Sequence, residues 1–163
     1  MTTKGFIARS LESDSNSIIT PVPILTERDQ TAVRKEFERI SGKVKLVAFS
    51  QELTAADLCR QNEQLVREVA ALSEQITVEV LNLAIDRERA EAYGIDQVPA
   101  IVVEGARDYG LRFYGVPTGY EFSNLIDAIV LASTGEPTLS DATKTALAGL
   151  EGDVDIKVFS TPT

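Results

Sequence analysis

The stretch from Lys43 to Leu72 limits the fold more than any other part of the chain. Lys43 to Phe49 is a β-rich apolar run carrying Val44, Leu46, Val47 and Phe49. Ser50 to Leu53 is a short polar loop, and a helix begins after Thr54. Thr54 is placed to cap that helix, and Asp57, three residues on, to supply the reciprocal carboxylate. Where a strand runs into a helix N-terminus, free backbone N–H groups and the positive end of the helix dipole converge, so an anion or a thiolate is stabilised. Cys59, the only cysteine, lies just inside this helix.

Composition narrows the chemistry that Cys59 can join. The chain has 163 residues, 44% of them hydrophobic, which suits one domain of ordinary size with some additional chain. Sixteen Lys and Arg against 25 Asp and Glu give a net charge of −9 with no basic cluster to offset it, which disfavours nucleic acid and anionic membranes as partners. The sequence contains no histidine, so the commonest general base and the commonest zinc ligand are missing. Ser-His-Asp, Cys-His and His-metal mechanisms are therefore excluded, and neither a cofactor nor a metal site is expected. A single cysteine makes no internal disulfide, and Met1 to Asn16 lacks the apolar core of a signal peptide. No apolar run reaches the roughly 18 residues that a membrane span requires. A cytoplasmic protein is expected.

Along the chain, residues 1–25 are rich in Ser, Thr and Asp with Pro21 and Pro23, and read as a mobile arm. Thr26 with Asp29 opens a helix whose apolar positions Val33, Phe37 and Ile40 run to a stop at Gly42. The helix after Thr54 places Ala55, Leu58, Cys59, Asn62, Leu65, Val66, Val69 and Leu72 on one side. Ile76 to Leu83 reads as a strand, Asp86 to Tyr93 as a short helix stopped by Gly94, and Ala100 to Glu104 as an apolar strand, with Gly105 allowing a turn into a strand at Tyr109 to Tyr114. Thr118 with Glu121 is placed to cap a helix that ends at Gly135. A further helix over Ser140 to Leu150 and a strand over Val154 to Phe159 complete the reading. The charged run Arg87, Glu88, Arg89 and Glu91 reads as a solvated helix face. Tyr109, Tyr114 and Tyr120 either pack on a sheet or line a binding surface.

The last helix and strand echo the first pair at one fixed offset. Ala142 answers Ala32, Leu147 and Leu150 answer Phe37 and Ile40, and Gly152 answers Gly42. Val154, Ile156, Phe159 and Ser160 then answer Val44, Leu46, Phe49 and Ser50. The pattern predicts a complete unit over 26–135 and the first helix and strand of a second, truncated unit over 136–163. A strand without partners must pair elsewhere or stay exposed, so a dimer through an edge strand is one expectation.

Helix, strand, helix, strand, short helix, strand, strand, helix is the order of an α/β thioredoxin-like fold, a mixed four-stranded sheet flanked by helices. Pro99 in Ile95-Asp-Gln-Val-Pro-Ala-Ile stands directly before a short strand, where thioredoxin-like folds keep a cis proline. From Thr26 to Thr163 the chain resembles the two-unit protein disulfide oxidoreductases, also called glutaredoxin-like proteins. The likeness is densest in Lys43-Val-Lys-Leu-Val-Ala-Phe, in Ile95-Asp-Gln-Val-Pro-Ala and in Phe113-Tyr-Gly-Val-Pro-Thr-Gly-Tyr-Glu-Phe. The last motif is also similar to one in the N-terminal domain of alkyl hydroperoxide reductase flavoproteins. In active units of these families a Cys-x-x-Cys opens the helix after the first strand. On this chain the motif falls on Ala56-Asp57-Leu58-Cys59, so the resemblance makes Cys59 the resolving cysteine and puts Ala56 in place of the nucleophile.

The resemblance implies thiol–disulfide exchange in cell redox homeostasis, with protein thiols, protein disulfides or a redox protein as partners and a peptide groove beside Val98 and Pro99. For this chain it implies a scaffold whose own active site is degenerate. Two other readings stay open. One is a non-catalytic interaction module in which Cys59 only fills the core. The other is a monothiol redox sensor acting through Cys59.

Overall fold

Thr26 and Asp29 start the first helix with a complete capping box. The Thr26 hydroxyl accepts from the Asp29 amide at 3.2 Å, and the Asp29 carboxylate accepts from the Thr26 amide at 3.2 Å. The computed structural model describes residues 22–53 and 55–158. Its elements are α1 (Glu27–Phe37), β1 (Val44–Ser50), α2 (Ala56–Ala70), β2 (Ile76–Asn82), α3 (Arg87–Tyr93), β3 (Ala100–Glu104), β4 (Asp108–Tyr114), α4 (Tyr120–Thr134) and α5 (Asp141–Ala148). The helix α1 stops at Phe37 rather than running to Gly42. The amides of Glu38, Arg39 and Ile40 turn back to carbonyls three residues earlier, which tightens the chain into a turn.

Most of the segment read as an arm lies outside the described residues. Its end is held: the amides of Ile24 and Leu25 donate to the Glu68 carboxylate at 3.0 and 2.9 Å, and Leu25 is buried.

The sheet has the order β2-β1-β3-β4, with β1 and β2 parallel and the other pairs antiparallel. Because side chains alternate along a strand, the central β1 feeds two cores. Val44, Leu46 and Ala48 join α1, α2 and α4 on one face, through Val33, Phe37, Leu65, Val66, Leu125 and Ile129. Val47 and Phe49 join Leu81, Ala90, Ile95 and Val102 beneath α3. There the Phe49 and Tyr93 rings meet edge to face at 5.9 Å.

Two helix starts differ from the sequence reading. The cap residue of α2 is Ala55, in the left-handed region at φ 53, and Asp57 is bound by Arg60; Thr54 lies outside the described residues. The cap residue of α4 is Gly119 at φ 57, with no side-chain cap, so the Thr118–Glu121 box is not made. Gly119 reaches that conformation without steric cost, and the chain enters the helix one residue later than Thr118 would have placed it.

Arg89 is more than a solvated face residue. Its guanidinium grips Glu79 through both nitrogens, one bond at 2.9 Å, and Lys45 reaches Glu79 at 3.0 Å and Glu104 at 3.3 Å. Bonds from Arg89 and then Lys45 hold the Glu79 carboxyl at about 2, below its ordinary 4.5. A carboxyl depressed on folding stabilises above its unfolded value and loses that contribution as pH falls through its folded value. Glu79→Gln is therefore expected to cost stability at neutral pH, with the deficit shrinking from pH 4.5 and vanishing near pH 2. Urea midpoints of both proteins across that range check it, and a constant difference would refute the assignment.

The echo region forms α5, capped by Ser140, but every residue of this helix is exposed. The strand expected over Val154 to Phe159 is not formed: Val154 to Val158 has no sheet partner among the described residues and exposes all three of its apolar side chains. Phe159 and Ser160, the last members of the echo, lie outside the described residues. An extended segment acquires strand structure only where a neighbour takes its backbone groups, and here none does.

Candidate functional site

Strand register decides what meets at the site. Ser50 lies opposite Asn82, Phe49 opposite Ala100, and Ala100 opposite Tyr114. The loops leaving β1, β2 and β4 and the loop entering β3 therefore gather at one end of the sheet. The N-terminus of α2, the Val98–Pro99 pair and the Gly115–Gly119 turn all belong to that end.

Within it, Ala56 is the first residue of α2 and is half-buried, whereas Cys59 sits a turn further in and is 2% exposed. The Cys59 amide is already spent on the Ala55 carbonyl at 2.9 Å. Its thiol is free and belongs to the buried face of α2, together with Asn62, Leu65, Val66 and Val69. Asn62, one turn on, is equally buried, and its carboxamide has no hydrogen-bond partner among the described residues. A nucleophile must reach its target, and Cys59 presents no surface from which to do so.

The Val98–Pro99 peptide bond is cis. Pro99 is buried, and its carbonyl accepts from the Gly115 amide at 2.8 Å, which ties the β3 entry to the turn after β4. Val98 is half-buried and packs against the α3-side core.

A group of exposed apolar side chains at this same end went unseen in the sequence. Leu53 in the β1–α2 loop is 98% exposed, Ile85 after β2 is 81% exposed, and Tyr120 opening α4 is 85% exposed. Leu58 belongs with them: it is 50% exposed and stands off the buried stripe on which its spacing had placed it. Its neighbour Cys59 in the same turn is buried instead, so helical period alone did not say which of the two the first turn of α2 would cover. The three tyrosines separate. Tyr109 packs at the core margin, Tyr114 is half-exposed with its hydroxyl donating to the Gly94 carbonyl at 3.4 Å, and Tyr120 stands in solvent.

No cluster of acidic, cysteine or histidine side chains among the described residues could hold a metal ion, and no described helix is long and apolar enough to cross a membrane.

No protein-family model matches the chain. The AhpF component of alkyl hydroperoxide reductase in Staphylococcus epidermidis is 26% identical to it over 122 residues, which cover 75% of this chain and 21% of that protein. The chain thus spans about a fifth of the length of this curated relative. The structure of the alkylhydroperoxide reductase component AhpF of Enterococcus faecalis superposes with a TM-score of 0.69 at 23% identity, covering 77% of this chain and 61% of that one. A protein disulfide oxidoreductase from Aeropyrum pernix superposes with a TM-score of 0.67 at 22% identity, covering 78% and 56%. These likenesses match the resemblance carried by the sequence motifs, and the fold is thioredoxin-like.

Proposed function

We propose that this chain is a thioredoxin-like unit of a thiol–disulfide redox system that acts as a scaffold and docking surface and is itself without dithiol activity. The observation that carries the reading is the state of the helix start: Ala56 occupies the accessible position and the one thiol, Cys59, is 2% exposed. The relatives named above, a component of alkyl hydroperoxide reductase and a protein disulfide oxidoreductase, support the redox setting. Val98, beside the buried Pro99, and the exposed Leu53, Leu58, Ile85 and Tyr120 supply the surface. An extended peptide of a redox partner would lie along the β3 entry and bury alternate apolar side chains among them.

Three measurements on the whole chain test this. Catalysed reduction of a protein disulfide by dithiothreitol is expected to stay at the uncatalysed rate, and Cys59 to be alkylated no faster than the protein unfolds. Titration with an extended peptide of alternating valine and threonine is expected to move the amide resonances of Leu53, Ile85, Val98 and Tyr120. Rapid native-state alkylation would replace the scaffold reading with monothiol sensing. Resonance changes confined to another face, or none at all, would remove the docking surface.

A further inference from the structure

The described structure leaves both sheet edges, β2 and β4, and one strand-like segment without a strand partner. Among the described residues β4 pairs only with β3, so its outer edge has no strand partner. Beside that edge runs a groove of about 710 Å³ whose floor includes Leu111 and Phe113 of β4, Ala128 and Leu131 of α4, and Pro137. The other edge strand, β2, instead carries the Glu79 cluster with Lys45 and Arg89, a charged edge of the kind that resists strand addition. Val154 to Val158 alternates apolar and charged residues over its whole length, and Val154, Ile156 and Val158 are all exposed. The preceding α5 is wholly exposed as well, so the segment lies off the body of its own chain.

We propose that Val154 to Val158 of a second copy of this chain adds to β4 as a fifth strand, reciprocally, and makes a dimer. The two alternations match. On β4, Leu111 and Phe113 face the groove, while Asp108 and Arg112 occupy the opposite face. An added strand with Val154, Ile156 and Val158 in the groove puts Asp155 and Lys157 on the face that carries the Arg112–Asp108 ion pair, where Asp155 can lie opposite Arg112. The partner strand takes up the β4 backbone groups and covers its own apolar side chains in one step. Because each copy carries a net charge of −9, self-repulsion opposes association, and the dimer is expected to tighten as salt rises. This surface is distinct from the Val98–Pro99 end, and its test is independent of the docking surface proposed there.

Analytical ultracentrifugation of the full chain gives the first readout, with a dimer expected for the wild type and a monomer for Ile156→Asp at the same concentration. Ile156 is exposed in the described fold, so circular dichroism of that variant should be unchanged. A Cys59→Ala background then allows placement. Asp127→Cys on one chain, at the groove margin, is expected to form a disulfide with Ile156→Cys on another when the two are mixed and oxidised. Three results would each overturn the proposal. The wild type could remain monomeric into the millimolar range, a dimer could form without the mixed disulfide, or the disulfide could form only within one chain carrying both substitutions.

Discussion

Gly105→Ala should cost this protein about 3 kcal/mol or more, the largest loss expected from any single methyl group added to the chain. Gly105 makes the turn between β3 and β4, and a Cβ built there lies 1.8 Å from the Ala132 carbonyl oxygen of α4 and 3.2 Å from the Tyr109 ring. No rotamer change relieves a clash with a backbone oxygen, so either the hairpin or the last turn of α4 must move. A Cβ built on Gly42 would lie 2.7 Å from the next carbonyl oxygen, that of Ser133. The end of α4 is thus wedged between two turns, each of which approaches it through a glycine. Gly94 supplies the comparison, because it has open space around it and only a positive φ of 67. Gly94→Ala should cost about 1 kcal/mol, the ordinary penalty for a left-handed L-residue. Urea denaturation of the full chain ranks them. A Gly105→Ala protein as stable as Gly94→Ala would show that the α4 contact does not constrain the fold.

Ala56→Cys is expected to give the chain the dithiol chemistry it lacks. Residues three apart on a helix hold their Cβ atoms about 5–6 Å apart, and small adjustments of the first turn bring such a pair to disulfide geometry. The new thiol would open α2 at a half-buried position, where the helix dipole favours a thiolate, whereas Cys59 stays buried behind it. The thiolate would attack a substrate disulfide and release one substrate thiolate. Cys59 would then displace the second, leaving two substrate thiols and an intramolecular disulfide that dithiothreitol reduces again. Against a wild type at the uncatalysed rate, the variant should reduce a protein disulfide about tenfold faster or more, because a thiolate now reaches the surface. Glutathione disulfide should also oxidise it to a form with no free thiol. If both thiols stay free and the rate does not rise, the end of α2 is not the redox position of this fold.

Much of the fold was legible because its signals are local. The Thr26–Asp29 box, the Gly94 and Gly135 stops and the β-rich run at Val44 to Phe49 each need only a few neighbouring residues, and each element formed where its pattern placed it. The site was legible in part. The resemblance to the two-unit disulfide oxidoreductases points to Cys59, Ala56 and Pro99, but nothing along the chain signals the exposure of Leu53, Leu58, Ile85 and Tyr120. Leu58 has the same helical phase as buried residues further along α2, yet it is half-exposed while Cys59 beside it is buried. The same limit applies to Val154 to Val158, whose alternation is that of a strand although the described fold offers it no partner.

Propensity, period and spacing are enough to place the helices and strands from Glu27 to Thr134 in their order, and to put the single thiol on the buried stripe of α2. A short window of chain contains all of that information. Folding in three dimensions was needed to end α4 against Gly42 and Gly105, to bring Arg89 and Lys45 together on Glu79, and to gather apolar side chains in solvent at one end of the sheet. Each of these depends on residues far apart in sequence being brought within a few ångströms, and no local pattern specifies such a distance.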